Sequence, residues 1–220
     1  MKKFLTTLAM SMCLLFQVAQ AQLPADTLMT VEIKLVDADI NKVENAVFIF
    51  EPLFEVDSAA LPQHPPAVMN QINKQFVPHV LVVRTGTKIS FPNADNLFHH
   101  VYSFSPTKQF ELKLYKEFTA QPLTFDEPGI VDIGCNIHDW MLGYIVVANS
   151  PFFAKTNNEG DIAIELPRGD YKVTFWHPLV ENSRLFSKKI LSVHENMRVT
   201  WQLDNALPDD DGFQSGFGDY

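Results

Sequence analysis

The chain has 220 residues, of which 46% are apolar, 12% aromatic and 20% charged; that is enough apolar material for a sizeable core and too much for a disordered polymer. Its 26 acidic residues outnumber 17 basic ones, for a formal charge of −9, so no basic stripe exists to track a phosphate backbone and no nucleic-acid partner is expected. The length suits one or two domains.

Lys2 and Lys3, an apolar run from Phe4 to Phe16 and the small-residue triplet Ala19-Gln20-Ala21 have the layout of a cleavable secretory signal over 1–21. The mature chain is expected to begin at Gln22. Cys13 sits inside the apolar run, between Met12 and Leu14, and is read as part of the signal, not as a lipid-attachment site. No later segment reaches the roughly 18 uninterrupted apolar residues of a membrane-spanning helix, so no transmembrane segment is expected. With the signal removed, one of the two cysteines remains, Cys135. A lone thiol in an exported protein has no internal disulfide partner, and left exposed it would oxidise or pair with another chain.

Val31 to Phe50 reads as strand, turn and strand, broken at Asp37 to Lys42. Residues 51–66 carry Pro52, Pro62, Pro65 and Pro66, which withhold the donors that a helix or central strand needs, so this stretch reads as a loop or linker. Next come Phe76 to Val83, Lys88 to Phe91, Val101 to Phe104, Phe110 to Tyr115, Leu123 to Phe125, Ile130 to Ile133 and Tyr144 to Ala148. Short β runs separated by turn residues at this spacing predict a sandwich or barrel. After Ser150-Pro151 the pattern restarts: a turn at Asn157 to Gly160, then strands over Asp161 to Leu166, Tyr171 to Trp176, Ile190 to Val193 and Val199 to Leu203. The acidic, glycine-rich end, 206–220, reads as a flexible tail. The fold class is therefore all-β.

Gly134-Cys135-Asn136-Ile137-His138-Asp139-Trp140-Met141 places a thiolate, an imidazole three residues on and a thioether three further on in one loop between β runs. Thiolate and thioether favour Cu(I), imidazole suits both copper oxidation states, and His₂Cys with a weak axial Met is the donor set of blue-copper electron-transfer sites. The missing imidazole has to come from another strand, and Phe98-His99-His100-Val101 supplies it. In a strand, His99 and His100 face opposite sides, so one of the two is the ligand. Structural zinc sites usually close with four Cys or His ligands, so Met141 argues against zinc. Asn93 and Asn136 are either braces for these loops or surface turn residues; Trp140 and Tyr144 either cover the site or pack in the core. His64, His79, His177 and His194 read as surface or structural.

Over Phe76 to Val147 these pieces resemble the cupredoxins: Phe76-Val77-Pro78, Gly86, Ser90-Phe91-Pro92-Asn93, the histidine pair, Pro128-Gly129 and then Cys135. The C-x₂-H-x₂-M spacing is similar to the short ligand loop of amicyanin, two residues tighter than that of plastocyanin. The pair Phe98 to Pro106 and Cys135 to His138 resembles exported bacterial proteins labelled methylamine utilisation proteins. The resemblance implies a Greek-key sandwich over 69–150 with one copper ion, Cu(II)/Cu(I), held by His99, Cys135, His138 and axial Met141; where the family usually has Asn, this chain has His100. It also implies a periplasmic, monomeric electron carrier, not an enzyme, working with a redox partner protein; the alternatives are copper delivery and a metal-free binding module.

Val31 to Val47, together with Thr156 to Val173, resembles the two halves of carboxypeptidase-regulatory-like, transthyretin-like (Ig-like) sandwiches. That implies a second module split into 28–55 and 151–205, joined by a linker at 56–68 to the copper-binding sandwich inserted between the halves; the alternative is that the first strands belong to the copper-binding sandwich and the last fifty residues form a separate β module.

Overall fold

The computed structural model describes residues 28–56, 61–62, 65–116, 121–180 and 187–208. The expected signal segment, His64 and residues 209–220 of the expected tail lie outside them. The described residues form seventeen strands and no helix, arranged as two sandwiches, the all-β architecture that the alternating patterns imply.

The first sandwich is built by both ends of the chain. β1 (Leu28–Val36) lies between antiparallel β14 (Asp161–Pro167) and parallel β17 (Met197–Gln202). Its partner sheet has the order β13-β2-β15-β16, with β13 at Phe152–Lys155, β2 at Val47–Pro52, β15 at Gly169–Trp176 and β16 at Ser187–Val193. Side chains alternate across each strand, so Met29, Val31, Ile33 and Leu35 of β1 meet Phe48 and Phe50 of β2 and Tyr171, Val173 and Phe175 of β15 in one buried core. The backbone N–H of Leu207 donates to Asp37 Oδ2 at 3.2 Å, and the Leu207 side chain packs against this core. The chain is thus tethered just past residue 206, where the sequence suggested the flexible tail begins.

Between β2 and β13 the chain builds the second sandwich. One sheet is β10-β7-β3, from Leu123–Phe125, Thr87–Ser90 and Ala67–Val68. The other is β6-β12-β11-β8-β9, from Val80–Arg84, Leu142–Ala148, Gly129–Cys135, His99–Ser103 and Phe110–Tyr115. A hairpin, β4 (Asn70–Ile72) with β5 (Gln75–Val77), closes one end. The single run expected over Phe76 to Val83 is divided at Pro78, which has no N–H to give a ladder; β5 pairs with β4, and β6 runs parallel to β12. β3, at the end of the expected linker, runs parallel to β7. β13 was not legible as a strand because its four residues follow a turn; pairing with β2 creates it.

The two sandwiches share an apolar seam of Val47, Ile49, Val80, Val146, Ala148 and Trp176. β2 and β12 are each buried on both faces, which explains why Val47-Phe48-Ile49-Phe50 and Ile145-Val146-Val147-Ala148 read as continuous apolar runs instead of alternating ones. Lys155 crosses the seam: its Nζ donates to Val80 O and Asn45 Oδ1, both at 3.0 Å. Burial holds this ammonium below its ordinary pKa, with Glu44 opposing. Next to the loop that follows β11, Gly143 lets the hairpin approach β12, since a Cβ there would lie 2.9 Å from Phe76 Cβ.

Candidate metal centre

Strand parity aims the donors. β11 turns Val131, Ile133 and Cys135 inward, and β8 turns His99, Val101 and Ser103 inward. The two strands pair, with Cys135 opposite Val101, so the thiol and the His99 imidazole reach the same end of the core. After Cys135 the chain folds back on itself: Met141 N donates to His138 O at 2.9 Å and Cys135 N to Met141 O at 3.3 Å. Asn136 N donates to His100 O at 3.2 Å, joining this loop to β8.

The result is a triangle of lone-pair atoms. Cys135 Sγ is 3.7 Å from His99 Nδ1 and 3.6 Å from His138 Nδ1, and the two Nδ1 atoms are 3.2 Å apart. The point equidistant from all three lies about 2.0 Å from each by these distances, which is a metal–ligand bond length. His99 is fully buried, Cys135 and Met141 are buried, and His138 is partly exposed. Met141 lies in the same core cluster as Cys135.

Asp95 sets the orientation of His99. Its Oδ2 lies 2.8 Å from His99 Nε2, so Nε2 carries the proton and the Nδ1 lone pair faces Cys135. The carboxylate also accepts the N–H groups of Asn73 at 2.6 Å and Lys74 at 2.8 Å. Burial works against its charge, but the Lys74 N–H, the His99 ring and the Asn73 N–H outweigh burial and hold its pKa below the ordinary value. For His138, burial first, then neighbouring His99 and Lys74, lower the pKa against the pull of Asp95. The ring therefore favours the neutral form that a metal requires.

Asn93 is a brace, not a surface turn residue: its Nδ2 donates to Leu97 O at 2.8 Å and Tyr115 O at 3.0 Å, and its Oδ1 accepts the Asp95 N–H at 3.0 Å. Asn136 is exposed and contributes its backbone. Trp140 packs on His138, ring centroids 5.5 Å apart. Tyr144 turns instead to the seam, 5.3 Å from Trp176 and 5.4 Å from His79. His100 faces away from the triangle, with Nε2 2.9 Å from Glu111 Oε1. His177 is buried, its Nε2–H donating to Glu44 O at 3.0 Å and its Nδ1 accepting the Leu179 N–H at 3.2 Å. His194 is exposed near Asp170. Asp95 escaped the sequence reading, although a carboxylate four residues before a strand histidine is a signal that could have found it.

Among the described residues no helix is long and apolar enough to cross a membrane. No protein-family model and no curated protein matches the sequence. Among solved structures, part of the chain is similar to a copper-containing nitrite reductase from Thermus scotoductus, with 25% identity over 44% of this chain and 25% of that one and a TM-score of 0.35; the chain thus spans only a quarter of that protein. It is also similar to the Cu(I) form of an amicyanin variant, with 24% identity over 47% of this chain and 99% of that one and a TM-score of 0.35. A purple cupredoxin from Nitrosopumilus maritimus is 21% identical over 37% of this chain and 99% of that one, with a TM-score of 0.29. Scores this low carry no weight in assigning the site, which rests on the donor geometry.

Proposed function

We propose that this protein is an exported, periplasmic one-electron carrier with a mononuclear copper centre. Cys135, His99 and His138 would hold the copper strongly and Met141 would hold it weakly. The observation that carries this reading is the convergence of one thiol and two imidazole nitrogens on a point about 2.0 Å from each. The soft thioether of Met141 favours copper over zinc. Copper so held supplies a reversible Cu(II)/Cu(I) couple.

The protein's own part is orientation and shielding. Asp95 fixes the His99 tautomer, paired strands hold His99 and Cys135, and the apolar core keeps water from Cys135. With these four positions filled, no open site would remain for a substrate, which suits a carrier. The carrier works as a monomer with a redox partner protein, which an acidic surface steers by charge.

Stoichiometric Cu(II) added to the purified mature protein tests the reading. An intense thiolate-to-copper band near roughly 600 nm with narrow hyperfine splitting in the electron paramagnetic resonance spectrum is expected. A tetragonal or silent spectrum would discard the carrier and favour copper delivery.

A further inference from the structure

Beside the segment that carries Asp95 lies a second polar group, centred on the fully buried Gln71. Gln71, 0% exposed, donates from Nε2 to Phe91 O at 3.2 Å, to Pro92 O at 3.1 Å and to Tyr115 Oη at 2.5 Å. Tyr115 Oη in turn donates to Phe91 O at 2.7 Å. Two side chains, one from β4 and one from β9, thus hold the same carbonyl. Gln71 Oε1 has no donor among the described residues. Rotating the amide would let the oxygen accept from the Tyr115 hydroxyl, but it would set that oxygen against the Phe91 and Pro92 carbonyl oxygens and give up both of those hydrogen bonds. A buried acceptor left in this state bears its full desolvation penalty, so the fold retains Gln71 for what its amide nitrogen holds.

What it holds is the segment that leads to His99. The backbone of Gln71 is bonded on both sides to that segment: its N–H donates to Pro92 O at 3.0 Å and its O accepts the Ala94 N–H at 3.0 Å. From there the contacts run through Asn93 Oδ1 to the Asp95 N–H at 3.0 Å, and through Asp95 Oδ2 to His99 Nε2 at 2.8 Å. Tyr115 sits opposite His99 in the β8–β9 register, and its carbonyl accepts from Asn93.

We infer that Gln71 and Tyr115 are positioning residues for the metal centre: they clamp the Phe91 to Asp95 segment, so that the Asp95 carboxylate holds His99 in one tautomer and one ring orientation. The inference rests on the copper reading for its consequence, a tuned potential, but its structural half concerns the metal-free chain as well.

The test uses Tyr115→Phe, which removes only the hydroxyl, and Gln71→Met, which keeps the bulk and removes the amide. In metal-free protein, long-range ¹H–¹⁵N correlation spectra of the imidazoles should show His99 as the Nε2–H tautomer alone in the parent and as a mixture in both variants. In copper-loaded protein, both variants should bind one equivalent of copper but shift the charge-transfer band and the midpoint potential beyond the spread of parent replicates. A single Nε2–H tautomer in both variants, with spectra and potential superimposable on the parent and only the melting temperature lowered, would overturn the inference by showing a purely structural role. If the parent itself gives no thiolate-to-copper band, the copper reading falls while the tautomer experiment still decides the clamp. Should Gln71→Met fail to fold, Tyr115→Phe carries the same readouts.

Discussion

The two sandwiches obey the same alternation of inward and outward side chains but spend their inward positions differently. In the terminal sandwich, β1 and β15 turn only apolar or aromatic side chains into the core. In the inserted one, the same parity at the ends of β8 and β11 turns His99 and Cys135 inward, with Gln71 and Asn93 buried behind them. One core is optimised for packing; the other gives up apolar contacts at one end to hold donor atoms. The comparison teaches that the site is an ordinary core position with its chemistry replaced, so variants there should affect metal binding more than folding, and the reverse should hold in the terminal sandwich and at the seam.

The sharpest break of that comparison is Cys135→Ser. Under the copper reading it should abolish the intense visible band altogether, because Cys135 is the only thiol among the described residues, while far-ultraviolet circular dichroism stays that of an all-β protein. A retained band would remove Cys135 as a ligand.

The seam offers the opposite case. Trp176 is 2% exposed and packs between the two sandwiches, so Trp176→Ala should cost about 3–5 kcal/mol in denaturant unfolding. Its Nε1 has no hydrogen-bond partner among the described residues. Trp176→Phe should therefore cost clearly less than the alanine variant, since it deletes an unsatisfied donor and keeps most of the ring. Equal losses for the two would mean that the indole N–H is contributing after all. Copper binding should be unchanged in both.

His177 tests the terminal side of the seam by pH. Burial, with neighbouring His79, lowers its pKa from 6.5 to about 4, against the Glu44 hydrogen bond. The Nδ1 that would take the proton already accepts the Leu179 N–H, so protonation breaks that bond. Between these two values the unfolded chain binds more protons than the folded one, so stability rises with pH through the window and is lost as pH falls through it. The full effect is about 3 kcal/mol. His177→Asn should start less stable and lose most of this slope between about pH 6.5 and 4; an unchanged slope would assign it to other groups.

The alternation of Met29, Val31, Ile33 and Leu35, and the all-β class, could be read from the sequence because a half-buried strand writes its burial as period two. The cysteine loop was legible because all its donor types sit within seven residues, Cys135 to Met141. Gln71 and Tyr115 were not, because their roles depend on pairings between β4, β9 and the Phe91 to Asp95 segment that no local pattern encodes. β13 was illegible for the same reason, and Tyr144 left its role open until the seam placed it against Trp176.

Met141→Leu is the smallest change that still separates the two regions. Met141 is 2% exposed in the same cluster as Cys135, and Leu conserves nearly the same apolar volume, so unfolding should cost less than about 1.5 kcal/mol. The same swap at Met29, in the terminal core, should cost a similar amount and leave the metal centre untouched. Under the copper reading, Met141→Leu should keep one bound copper with its thiolate band but shift the midpoint potential, because only the weak axial donor has gone. Complete loss of copper would make Met141 an anchoring ligand, and an unchanged potential would make it a packing residue like Met29; either result would redraw the line between packing and chemistry inside one core.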